Sequence, residues 1–156
     1  MSYSIALSLH LIAATIWVGG MFFAHMILRP SSVEKLEPPL RLPLWNAVFG
    51  RFFFWVWISV FTILVTGYWM VFDVYGDILT LKITYIQLMH FIGLLMTIIF
   101  SYIFFVPYQA FKEAVESSQF PKGGEQMNKI RVLVTTNLIL GMLTMIIASA
   151  GKFINL

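Results

Sequence analysis

The sequence predicts an all-α integral membrane protein, an up-down-up-down four-helix bundle forming one domain over residues 1–156. Three observations predict it. Hydrophobic residues make up 60% of the chain and charged residues only 11%, against about a quarter charged in ordinary soluble domains. The mean hydropathy is +0.87. The apolar residues gather into four runs, at residues 4–28, 52–72, 81–106 and 132–150, each close to the ~20 residues a helix needs to cross a bilayer.

The first run carries no formal charge and stops at Arg29 and Pro30. It holds two of the three histidines, together with Trp17 and the pair Gly19-Gly20. At about 100° per residue, His10, Ala14, Trp17, Met21 and His25 fall within an arc of about 80°. Polar side chains inside a membrane face a bundle interior or a functional site, so this face is predicted to be the wall of a site. No basic stretch precedes the run, and it exceeds the apolar core of a signal peptide, so a cleaved leader is not expected.

The segment after it contains Pro30, Pro38, Pro39 and Pro43, which predicts an extended or interfacial loop. The second run carries a stripe of Arg51, Trp55, Ser59, Thr62, Thr66 and Trp69. The short connection at residues 73–77 makes the second and third runs antiparallel neighbours. In the third run Gly93, Thr97, Ser101 and Tyr108 share the face of His90. The stretch YQAFKEAVESS is predicted to continue beyond Pro107 as an amphipathic helix, broken by Lys122-Gly123-Gly124. The fourth run offers Asn137, Gly141, Thr144, Ala148 and Gly151, small enough for close helix contact or for a planar ligand.

Eight of the ten basic residues lie on the side of the two longer loops: Arg29, Lys35, Arg41, Arg51, Lys112, Lys122, Lys129 and Arg131. Only Lys82 and Lys152 lie on the other. The positive-inside rule then places the loops in the cytoplasm and both termini outside, as in a multi-pass protein of a bacterial inner membrane. Tyr3, Tyr68, Trp69 and Tyr75 fit an outer aromatic belt. The net charge of +3 is dispersed, which excludes a nucleic-acid partner. The chain has no cysteine, so thiolate metal sites, iron–sulfur clusters and Cys-x-x-Cys-His haem attachment are excluded.

His10 lies about six residues into the first run and His90 about nine into the third, which runs in the same direction. In such a bundle these helices are diagonal, so the two imidazoles are expected to face each other in the outer half of the membrane. Two opposed histidines at one depth are what the iron of a b-type haem requires. Trp17 and Thr97 fall on the same faces and complete the candidate cofactor-binding set. Lys82, at the outer end of the third run, is the candidate partner for a haem propionate. His25 has no depth-matched histidine. With Met21 on its face it forms an alternative, copper-binding pair, since imidazole and thioether suit that metal.

Several of these residues also carry a resemblance. LHLIAATIWVGGMFF resembles the first helix of the CopD-like membrane domain. Arg51-Phe52 opening a segment that closes on Thr66-Gly67 is similar to its next helix, and Tyr75-Gly76 followed by Leu81-Lys82 to its following loop and helix start. The match covers residues 9–90, with the fourth run generic. The His-to-Trp spacing and Lys82 also resemble HemJ, a membrane protoporphyrinogen oxidase. The first resemblance implies copper uptake. The second implies b-haem binding and porphyrin oxidation.

The leading expectation from the residues is a haem-binding membrane protein that transfers electrons or oxidises a substrate, with a quinone or small oxidant as redox partner. Copper handling, HemJ-like oxidation and a cofactor-free assembly role are the alternatives. A bilayer surrounds the bundle in every case, and self-association into a homo-oligomer is compatible with each.

Overall fold

A computed structural model describes residues 2–76, 84–151 and 153. Among them every regular element is helical: α1 (Tyr3–Phe23), a π-helical turn (Ala24–Leu28), α2 (Arg29–Lys35), α3 (Pro38–Tyr75), α4 (Thr84–Phe105), α5 (Pro107–Glu116) and α6 (Phe120–Ala150). Four helical stretches are long and apolar enough to cross a membrane. Large side chains face outward along them, among them Phe61, Phe91 and Ile98, each at least 66% exposed. A surface this apolar is stable against lipid and not against water. The chain is a multi-pass membrane protein.

The first connection is helical where prolines predicted an extended loop. Pro30 stands in the first turn of α2, and Pro38 and Pro39 open α3. At Pro38 and Pro39 the N–H that proline lacks has no intrahelical partner, and its fixed φ suits the start of a helix, whereas Pro30 lies inside one continuous helical run from Tyr3 to Lys35. Only Leu36 and Glu37, both extended, separate α2 from α3. Pro43 lies inside α3, early enough to remove a single helical bond. The π-helical turn just before α2 widens the backbone where the ring of Pro30 meets the carbonyls of the preceding turn.

Two more boundaries move for comparable reasons. The break near residue 120 falls on Ser117, Ser118 and Gln119, with Ser118 at a φ of 56°, and not on the glycines. Gly123 lies within α6, where a Cβ would press on Leu42 Cδ1 at 3.2 Å. Gly123 thus serves the close packing of α6 against α3, while Gly124 faces open space. At the other end α3 closes on Gly76, at a φ of 79°, whose N–H returns to the Phe72 carbonyl; glycine takes this left-handed cap without a Cβ penalty. The predicted amphipathic piece is α5, which buries Pro107, Tyr108, Phe111, Ala114 and Val115 at the spacing of one helical face.

Helix α1 packs chiefly on α3, and both α4 and α5 pack on α6. The α1–α3 contacts are antiparallel: His10 lies against Gly67, and Gly20 against the ring of Phe52. Gly19, beside it, faces open space. In the same sense, Asn137 and Gly141 of α6 meet Met96 and Gly151 meets Tyr85. Helices α3 and α4 join through rings. Phe53 and Trp57 each contact Phe100, at 5.5 and 5.0 Å between centroids, and Tyr108 stands edge-on to Phe53 at 5.0 Å. This aromatic core lies toward the end that carries α2 and α5, the loop end. The histidines of α1 and α4 lie toward the opposite, terminal end.

Candidate functional site

His10 is partly buried and placed by α3. Its Nδ1 lies 2.9 Å from Thr66 Oγ1. Thr66 in turn donates its one hydroxyl hydrogen to the Thr62 carbonyl at 2.6 Å. The threonine can therefore only accept from the imidazole, and Nδ1 must carry the hydrogen. The Ile63 carbonyl, another acceptor, lies beside the same ring. Neutral His10 then keeps the lone pair on Nε2, the form in which a histidine binds a metal while its other nitrogen is held by the protein. Gly67 makes room for the ring: a Cβ there would stand 3.3 Å from His10 Cε1.

His90 is also held by α3. Tyr68 Oη lies 3.4 Å from its Nε2, and the two rings meet edge-on at 5.2 Å. Thr66 and Tyr68 are two residues apart, about 3 Å along the helix axis and about 200° around it. His10 and His90 thus stand at about one level on different faces of α3. No hydrogen bond or ring contact joins the two imidazoles.

The other predicted residues separate into distinct surroundings. Trp17 is 3% exposed and stacks edge-on with Phe100 at 6.1 Å. Met21 is equally buried in the same core. Thr97 donates to its own helix, to the Gly93 carbonyl at 2.9 Å. Lys82 lies outside the described residues. Of the α3 stripe, Ser59 and Thr66 are buried, while Arg51 and Trp55 are exposed. Among the described residues no three of His, Asp and Glu gather into a group that could hold a metal ion.

His25 belongs to the loop end. Its Nδ1 is 3.3 Å from Thr135 Oγ1, which donates to the Arg131 carbonyl at 2.8 Å. The ring lines a cavity of about 190 Å³ together with Arg29, Arg41 and Arg131. That concentration of positive charge favours an anion over a metal cation at this spot. Spacing along the chain gave no sign of it. Arg41 and Arg131 stand far apart in sequence and read as ordinary loop-side anchors. Tyr68, the partner of His90, reads equally well as a belt residue.

The family model of copper resistance protein D, CopD, matches residues 46–150. This chain belongs to the CopD family. The match spans α3 from Asn46 onward and the whole of α4, α5 and α6, and it leaves outside α1 with His10 and the π-helical turn with His25. It thus reaches the fourth span, which the sequence resemblance left generic. No curated protein and no solved structure matches the chain.

Proposed function

We propose that this CopD-family chain is a copper-handling membrane protein, with copper as its cargo and His10 and His90 as its candidate ligands. The family match over three of the four spans carries this reading. The His10 geometry supports it, since the Thr66 acceptor leaves Nε2 unprotonated and so competent to bind a soft or borderline metal. In this reading both termini are external, the loops are cytoplasmic, and the helices cross the membrane in alternating directions, as the basic residues favour.

The test is the copper content of cells expressing the chain, measured by mass spectrometry after growth in copper. Expression should change cell copper relative to vector, and His10→Ala should remove most of that change. Copper equal to vector in cells that contain the protein in their membranes overturns the reading.

A second reading is b-haem ligation through His10, whose Nε2 is left unprotonated by the Thr66 contact. His90 would not share that group with His10, because Tyr68 engages it on a different face of α3. When bound, such a haem would supply one-electron transfer, with a quinone as the candidate partner. A sharp α band on dithionite reduction of the purified protein favours this reading, and a featureless visible spectrum excludes it.

A further inference from the structure

The cavity at the loop end has the chemistry of an anion site. It is lined by Arg29, Arg41 and Arg131 together with His25 and Asn128, among apolar residues, and by no Asp or Glu. Among the described residues the ion pairs are Lys35 with Glu34 and Lys112 with Glu116, so none of the three arginines is neutralised. Arg41 makes one long bond, 3.3 Å, to the Leu36 carbonyl. Both Arg29 and Arg131 act electrostatically on His25. Like charges gathered around one space repel, and partly buried pairs are screened little by salt. An oxyanion between them reverses the sign of that interaction.

The wall is rigid. The indole of Trp45 donates to Ser32 Oγ at 3.1 Å, and Ser32 donates to the Arg29 carbonyl at 2.9 Å, which ties α2 to α3. His25, a lining residue, lies in the π-helical turn at Ala24–Leu28, and such turns recur at functional sites. The volume lies below the ~300 Å³ at which pockets begin to take drug-sized molecules. It is nevertheless ample for one phosphate group. Guanidinium forks match phosphate oxygens in pairs.

We propose that this cavity binds a phosphate-type oxyanion, held by Arg29, Arg41 and Arg131. The group comes either from an anionic phospholipid of the adjoining leaflet or from a free phosphate compound. The site stands independently of the copper reading, since it uses neither His10 nor His90.

The test uses the full chain, delipidated in detergent, with phosphatidylglycerol, phosphatidylcholine or inorganic phosphate added. Binding is read from the thermal unfolding midpoint and by native mass spectrometry. A lipid source predicts that phosphatidylglycerol binds and raises the midpoint while phosphatidylcholine and inorganic phosphate do not. A free-phosphate source predicts that inorganic phosphate alone raises it. In either case the Arg41→Gln/Arg131→Gln double variant should bind at least about tenfold more weakly. Lys122→Gln/Lys129→Gln, which removes equal charge from exposed positions off the cavity wall, should change affinity less than about twofold. If no anion binds, or if the lysine variant loses as much as the arginine variant, the site does not exist. Should the double variant fail to unfold cooperatively, Arg131→Lys decides: it keeps the charge and loses the fork, so unchanged affinity overturns the proposal.

Discussion

The Nδ1 of His10 and the Oγ1 of Thr66, 2.9 Å apart, tie α1 to α3 toward the terminal end. Because Thr66 spends its hydrogen on the Thr62 carbonyl, this one contact fixes the tautomer of His10 as well as its position. Stability and ligand chemistry therefore depend on the same hydroxyl.

Thr66→Val tests that dependence. Valine keeps the shape and removes the acceptor, leaving the imidazole N–H without its partner. Interhelical hydrogen bonds in membranes average about 0.6 kcal/mol, and a stranded buried donor raises the cost to about 1–2 kcal/mol. Thermal unfolding in detergent should show that loss for Thr66→Val and little of it for Thr66→Ser. Equal midpoints for wild type and Thr66→Val would mean that the contact contributes nothing.

Gly141 is a second point of close approach. A Cβ there would stand 2.7 Å from Val18 Cγ2 and 3.2 Å from Met96 Cε, and the branched Val18 has little freedom to move. Overpacking of this kind costs about 1–3 kcal/mol, more than the ~1 kcal/mol that alanine gains over glycine in a helix. Gly141→Ala should therefore lower the unfolding midpoint. Gly93→Ala, with nothing within 4 Å, should leave it unchanged or raise it.

The four spans were legible because each is a long apolar run, and α5 because its apolar residues recur at helical spacing. Counting residues in from the helix ends set His10 and His90 at one depth and facing each other, but it did not show that they lean on different faces of α3. Their partners were not legible, since Thr66 and Tyr68 are set by how α1 and α4 lean on α3, which spacing along one helix does not encode. Proline was misleading between α2 and α3 because its effect depends on position within the turn. The arginine cavity was hidden because a loop-side arginine carries the same sequence signal whether it faces lipid headgroups or two other arginines.

Ser32 links the indole of Trp45 to the backbone at Arg29. Ser32→Ala should cost about 1 kcal/mol. It should also speed amide exchange selectively in α2 and the following two residues, as read by hydrogen–deuterium exchange mass spectrometry. Exchange that rises equally in α4 would point to global destabilisation and against a local clamp.

Copper flux into proteoliposomes reconstituted with the purified chain tests the proposed function most directly. Vesicles loaded with a Cu(I)-sensitive fluorophore should report entry above protein-free vesicles, and His10→Ala should bring it down at least about tenfold, the scale on which a ligand or its support matters. Flux no greater than in empty vesicles, from protein that is folded and inserted, would contradict copper transport by this chain.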